Sequence, residues 1–467
     1  MRLLSAGSIY MTRAALAIVL LAVSAAVLAA NTIGGPLADA AARVLFVLLC
    51  LLGLRTSTIR EVLLGVAALI LAILLWRTQE GRAVLPLAID LAAYFAAFIA
   101  LLTSLKIAAE RSQSVLSVGR YLIRQPSGRR FIATATGGHV LGVFLNFAAV
   151  SLMAPLIQSA TKQADGTIDE DLERRQLSAL LRGFAWILLW APTTLTQAVL
   201  LTLFTDINLG KIVVVGIMTS LLMMGIGLAY DRYEWRGLRQ STDTRPAVIL
   251  PGRAIVRVGL VCATLIGTTA ALQIGAGYTT SLALMFMAPA VTLLWFALQK
   301  PKDRRLGRQI ASFWPALKLD AAPLARSAIA LGLSGFIGRA LAEVLPMETL
   351  TQNLDATAMP GWLFLAILPI LITLGGQVAL SPIILVVFIG QVVQTFPTLP
   401  ADPTNIIFAL SAGWAVSMFA SPNATATLLI SATTRIPPTT LTWRWNLRYG
   451  AICYIVLVGI FALLEAQ

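Results

Sequence analysis

Two stretches of this 467-residue chain carry the same residue types at the same spacing. Residues 183–192 read Gly-Phe-Ala-Trp-Ile-Leu-Leu-Trp-Ala-Pro, and residues 413–422 read Gly-Trp-Ala-Val-Ser-Met-Phe-Ala-Ser-Pro. Each opens on Gly, an aromatic and Ala, and each closes on Pro without a gap. Polar side chains follow both: Thr193, Thr194 and Thr196 after Pro192, and Asn423, Thr425 and Thr427 after Pro422, with Ser421 just before it. Proline has no amide hydrogen and clashes with the preceding turn, so Pro192 and Pro422 should each break a helix. A break frees carbonyls and amides and presents half-helix partial charges. Neutral hydroxyls and amides beside it can hold a small ligand or ion at lower cost than a buried charge. Trp186 and Trp190 approach the first break, in positions that suit either a cavity wall or packing.

A second matched pair precedes the first. Residues 128–158 contain Gly137-Gly138-His139 and then Leu145-Asn146-Phe147, while residues 361–395 contain Gly375-Gly376-Gln377 and then Leu380-Ser381-Pro382. Both stretches are apolar and longer than the roughly 20 residues of a single crossing. Two short helices meeting at a tip account for each, and backbone exposed at membrane depth is tolerated only beside protein or a water-filled cavity. Asn146 and Ser381 are then tip residues able to bind substrate or a cation, or to cap loose hairpin backbone. His139 is the one histidine, a residue type whose unperturbed pKa lies near neutrality, and is a candidate coupling group. Gln377 in the matching place is a neutral amide, which points to a shared hydrogen-bonding role. Asp90 lies inside a span, where a carboxylate is costly and either functional or paired. Arg339 and Glu343, four apart, read as an ion pair on one helix face. Arg182 reads as snorkelling to the interface.

The elements that must position these residues are membrane spans. The chain is 58% apolar and only 12% charged, against about 25% charged in soluble proteins. Lipid is therefore its natural solvent. Single spans are expected near 12–30, 36–54, 60–77, 83–105, 178–204, 211–230, 254–274, 279–298, 322–344, 403–431 and 446–464. The fold class is an all-α polytopic membrane protein with about 11 transmembrane helices and two opposed re-entrant hairpins. Val27-Leu28-Ala29-Ala30 resembles a leader cleavage site, but with so many spans following, an uncleaved first span is expected. The net charge of +14 sits in short basic connections. That pattern signals topology and anionic headgroups, not nucleic acid. The mixed charges of 165–175 read as a solvated loop. Cys50, Cys262 and Cys453 lie in apolar spans without metal or redox spacing.

With the N-terminus in the cytoplasm and each hairpin returning to its own side, about 30 of the 35 Lys and Arg fall on the cytoplasmic side. Making either hairpin a true crossing would spoil that split. The C-terminus is then outside, and the two copies have opposite orientation, an inverted-topology repeat. The domains read as 1–35, a first span; 36–230, the first repeat; 231–253, a cytoplasmic linker; and 254–467, the second repeat.

On these hairpins and broken helices, and on Phe144-Leu145-Asn146-Phe147-Ala148-Ala149-Val150 continuing to Ala154-Pro155, the chain resembles the ion transporter superfamily, close to the divalent anion/sodium symporters. The likeness covers most of residues 36–464 in layout. It implies a homodimer with a scaffold portion and a moving transport portion. The dicarboxylate branch carries a Ser-Asn-Thr triplet at both tips. Here the first tip has only Asn146 and the second has Ser381-Pro382, so the coupling ion stays open between sodium and proton.

The expected activity is secondary transport of a small anion, an organic carboxylate, across a bacterial inner membrane by alternating access, without a cofactor and without enzymatic chemistry. The expected binding residues are Gly138, His139, Asn146, Pro192, Thr193, Thr194, Gly376, Gln377, Ser381, Ser421, Pro422, Asn423 and Thr425. Sodium would sit near Asn146 and Asn423, and coupling would use His139 or Asp90. Cation/proton antiport is the alternative. A membrane-embedded enzyme is disfavoured because the longest outward connection, near 345–360, holds only Glu348 and Asp355 as charges. No nucleotide-binding loop is present for ATP-driven pumping.

Overall fold

The computed structural model describes residues 6–163, 165–204, 207–236, 251–298, 311, 313–345, 359–378, 382–396 and 398–466. Among them the fold is all helix, apart from one isolated bridge between Lys162 and Ile168. Among the described residues, eight helical stretches are long and apolar enough to cross a membrane, Pro403–Thr434 counted as one. Several of them carry exposed large apolar side chains such as Val44, Leu221, Leu260 and Ile455. Such a surface suits lipid and not water. The chain is thus an all-α polytopic membrane protein, divided into two compact units.

The first unit holds Met1–Ser112, Leu260–Leu350 and Val387–Val392. Its helices are α1 (Ala6–Thr32), α2 (Pro36–Gly53), α3 (Ile59–Arg77), α4 (Gln79–Glu110), most of α11 (Gly252–Ala276), α12 (Thr280–Leu298) and α13 (Phe313–Val344). A capping box at Thr58 and Glu61 starts α3, and Thr78 caps α4 by accepting from the Gly81 amide at 3.0 Å. Lipid supplies no hydrophobic drive between helices, so small residues that let backbones approach, and polar bonds, hold them together. Ala92, Ala93, Ala96 and Ala97 of α4 are fully buried. Tyr94 donates to Ser281 at 2.7 Å, and Ser104 bonds Thr292 at 3.0 Å.

Two charges expected from sequence lie in this unit. Asp90 is gripped by both forks of Arg43 at 2.7 Å each, so this carboxylate is paired across α2 and α4. Arg339 does not pair with Glu343. It donates to Gln391 instead, because the facing helix segment offers an amide oxygen within its reach.

The second unit holds Gln113–Gly259, Thr351–Val386 and Val393–Gln467. It begins with α5 (Gln113–Ile123), an amphipathic helix inside the basic connection, for which no element was expected. The first hairpin is α6 (Ser127–Leu145) and α7 (Phe147–Ala160), joined by Asn146 alone. The first broken helix is α8 (Glu170–Ala185), a 3₁₀ turn at Trp186–Leu189, and α9 (Leu195–Leu203). After α10 (Leu209–Glu234) and the start of α11 come α14 (Gly361–Gln377) and α15 (Pro382–Val393, of which Val387–Val392 belongs to the first unit), the two helices expected to form the second hairpin. The second broken helix is α16 (Pro403–Ala420) and α17 (Thr425–Thr434). A π turn at Thr440–Arg444 leads into α18 (Leu447–Glu465). Every residue of α16 from Thr404 to Ala420 is buried, as a helix apolar all round must be.

Candidate functional site

The breaks fall where the prolines demand. An uninterrupted helix would bond the amide at position 192 to the carbonyl of Leu188, and that at 422 to the carbonyl of Met418. Proline has no such donor, and a buried carbonyl left unbonded costs about 1–3 kcal/mol. The same remedy appears in both halves, five residues beyond the proline. Gln197 donates Nε2 to Leu188 O at 2.9 Å and to Leu189 O at 3.1 Å. Thr427 donates Oγ1 to Met418 O at 2.8 Å. Replacing Gln197 by Leu, or Thr427 by Val, is expected to lower stability by about 1–3 kcal/mol. Thermal unfolding in detergent measures it, and unchanged melting in both variants would refute this role.

The residue after each proline ties the break to its hairpin. Thr193 donates to Val143 O in the last turn of α6. Asn423 donates Nδ2 to Gly376 O at 3.0 Å, in the last turn of α14, and Ser421 donates to the same carbonyl at 2.7 Å. Thr194 caps α9, its hydroxyl accepting from the Gln197 amide at 3.4 Å and donating to Ala191 O at 2.8 Å. Thr425 is the first residue of α17 and half-buried. Gly138 packs on Leu180, and Pro192 is half-buried while Pro422 is buried. Ser381 lies outside the described residues. The two broken helices touch directly: Gln197 Nε2 reaches Ser411 Oγ at 3.0 Å, and the Trp186 and Phe419 rings lie 5.5 Å apart.

The leading glycine of each repeated segment is also explained. A Cβ on Gly183 would lie 2.0 Å from Ala135 O of α6. One on Gly413 would lie 2.7 Å from Ile372 Cδ1 and 2.8 Å from Pro369 Cα of α14. Each glycine is the point where a broken helix crosses the first arm of its hairpin with no room for a side chain.

His139 and Gln377 do equivalent work. His139 Nδ1 bonds Gly183 O at 3.0 Å, and its Nε2 accepts from Trp190 Nε1 at 3.3 Å. Gln377 Nε2 donates to Ala420 O at 3.2 Å and to Thr373 O at 3.0 Å, and its Oε1 accepts from Trp443 Nε1 at 2.9 Å. Each side chain donates to a broken-helix carbonyl and accepts from an indole. Those partners assign the proton of His139 to Nδ1 and leave Nε2 as the acceptor of a neutral ring. We expect His139→Gln to hold stability within about 1 kcal/mol of wild type, and His139→Leu to lose about 2 kcal/mol. An equal loss in both variants would show that the ring's shape matters and its bonds do not.

Arg182 does not snorkel. It is 2% exposed. Its guanidinium donates to Asn446 Oδ1 at 2.8 Å and to Trp445 O at 3.3 Å, and lies 4.7 Å from the Tyr449 ring and 5.1 Å from the Tyr230 ring. Aromatic faces and amide oxygen take the place of water around the charge. Trp186 is a packing residue, donating to Tyr449 Oη at 2.8 Å, and Tyr449 donates in turn to Met223 O at 2.9 Å.

Asn146 stands apart from all of these. Its backbone has φ 52° and ψ −135°, a conformation costing a non-glycine residue about 1–3 kcal/mol. Its Nδ2 and Oδ1 are both buried, and neither finds a hydrogen-bond partner among the described residues. It is the last residue before α7, whose first amides face its position. An amide that offers a donor and an acceptor, both unspent, beside a helix N-terminus is equipped to hold a polar or anionic ligand.

No family model matches the chain, and no curated protein matches it. Among solved structures the outcome differs. The chain shares its fold with two transport proteins. The YdaH transporter of Alcanivorax borkumensis, a protein of unusual topology, aligns with a TM-score of 0.56 at 14% identity, covering 87% of this chain and 98% of that one. MtrF of Neisseria gonorrhoeae, which illuminates a class of antimetabolite efflux pumps, aligns with a TM-score of 0.53 at 12% identity, covering 88% and 96%. At such identities the likeness is one of fold.

Proposed function

We propose that this protein is a secondary active transporter that moves a small anion, an organic carboxylate, by alternating access, driven by a sodium or proton gradient. The observation that carries the reading is Asn146, a buried and unpartnered amide held in strained backbone at a hairpin tip. Strain of that kind persists where surrounding structure over-determines it, and it clusters at ligand-binding positions. The neutral lining of the breaks supports the same reading. Thr193, Thr194, Ser421, Asn423 and Thr425 line the breaks without a fixed charge, α9 and α17 begin beside them with a positive dipole end, and α7 begins in the same way at Asn146. The fold shared with two transport proteins agrees with it. The two breaks belong to an inverted repeat. Sodium, where it is the coupling ion, is held near Asn146 and Asn423.

The test is uptake of labelled carboxylates into proteoliposomes under an imposed sodium or proton gradient. Saturable, gradient-dependent accumulation of at least one is the expected result. Failure to move any anion under either gradient would refute the proposal.

A further inference from the structure

Away from the broken helices, a pocket of about 390 Å³ opens between the start of α5 and the start of α11. Arg253, Arg257 and the backbone of Gly252 line it from α11, and Gln113, Ser114 and Ser117 line it from α5. Ser117 donates to the Gln113 carbonyl at 2.6 Å and so ties down the first turn of α5. Ser114 and the Gln113 amide are the side chains left to donate into the pocket. Both arginines are exposed, and the ion pairs among the described residues engage Arg43, Arg174 and Arg175 instead.

The surroundings select the ligand. Arg253 and Arg257 lie one turn apart on one face of α11, and Leu260 continues that face one turn further. Leu260 is 61% exposed, and Val256 beside it is 60% exposed. The helix is long and apolar enough to cross a membrane, so its first turns lie at the membrane boundary. A basic, hydroxyl-lined pocket therefore opens onto an exposed apolar strip at the level where headgroup gives way to hydrocarbon. A free phosphate ion would use only the first of these, whereas a phospholipid uses both. We propose that this pocket binds the headgroup phosphate of an anionic phospholipid. The guanidinium groups of Arg253 and Arg257 pair with the phosphate oxygens, Ser114 and Gln113 donate to the headgroup, and an acyl chain lies along Val256 and Leu260. Arginine suits the task because its fork meets phosphate with two parallel bonds.

The test titrates the detergent-solubilised full chain with phosphatidylglycerol in mixed micelles and follows the apparent melting temperature, which a ligand of the native state raises. A saturable rise is expected with phosphatidylglycerol, and none with phosphatidylcholine or inorganic phosphate. In the double variant Arg253→Gln/Arg257→Gln the midpoint should move about 30-fold to weaker binding, the loss of two basic contacts at an anionic headgroup. The variant Arg257→Lys keeps the charge and loses the fork, so a shift of about 3- to 10-fold is expected. It stands in should the double variant fail to fold. Arg444, which ends the π turn, and Arg448, in the first turn of α18, form a second exposed pair four residues apart. Arg444→Gln/Arg448→Gln should move the midpoint less than twofold. Equal shifts in the two double variants would overturn the site in favour of bulk charge. An equal rise with phosphatidylcholine, or saturation by inorganic phosphate, would overturn the lipid assignment.

Discussion

Asn146→Gly is expected to make the protein more stable and to stop transport. Glycine adopts φ 52° without the clash between Cβ and carbonyl that the present residue bears. Removing the side chain also removes two buried polar atoms that lack partners. Relief of strain and of unpaired burial, less the greater chain entropy of glycine when unfolded, sums to a gain of about 1–3 kcal/mol. The same change deletes the amide proposed to grip the carboxylate. A hydrogen bond from Nδ2 to a charged carboxylate, at about 1.5–3 kcal/mol, corresponds to a fall in uptake of about 10- to 100-fold. Thermal unfolding and proteoliposome uptake read the two effects separately. In wild type a transported carboxylate raises the melting temperature, and in Asn146→Gly it does not. A variant that is stabilised yet transports normally would remove Asn146 from the site. A variant that is destabilised would show that the amide is structural.

The second large effect is at Gly183. A methyl group at 2.0 Å from Ala135 O cannot be absorbed by a rotamer change, because the obstacle is backbone carbonyl in the neighbouring helix. Gly183→Ala must push α8 from α6, and doing so loosens the His139 bond to Gly183 O and the Thr193 bond to Val143 O together. A loss of about 3 kcal/mol or more is expected. Gly413→Ala should lose less, because its nearest atoms, Ile372 Cδ1 at 2.7 Å and Pro369 Cα at 2.8 Å, stand farther off than the Ala135 carbonyl at 2.0 Å from Gly183. Melting temperatures in the order wild type, Gly413→Ala, Gly183→Ala are expected. The reverse order would contradict this account of the repeated glycine.

Much of the fold was legible because lipid allows so few solutions. Apolar length marked where the long helices stand, eight of which among the described residues can cross a membrane, and each of the two over-long stretches became two short helices, α6 and α7 in the first and α14 and α15 in the second. The breaks were legible because a missing amide hydrogen is written into proline itself. The side chains that answer the breaks were harder to see. Gln197 passed unremarked, although the need for a donor to the carbonyl four residues before Pro192 is a signal that could have led to it. Arg182 was misread for a different reason. A lone arginine at a span's edge ordinarily reaches for the interface, and its actual partner, Asn446, is 264 residues further along the chain, where no local spacing announces it. The same holds for Arg43 and Asp90, 47 residues apart. Helix α5 was hidden because its apolar face is short and its arginine belongs to a run of charge.

The bond between Thr427 and Met418 O, and those of Gln197 to Leu188 O and Leu189 O, have a kinetic meaning as well. In an intact helix a carbonyl can change partner only by unwinding a turn. Here the rotation of one buried side chain releases it, with no turn of helix unwound. Each broken helix therefore carries acceptors that can be handed to water, an ion or a passing ligand and recovered afterwards, while the backbone on either side of the proline stays in place.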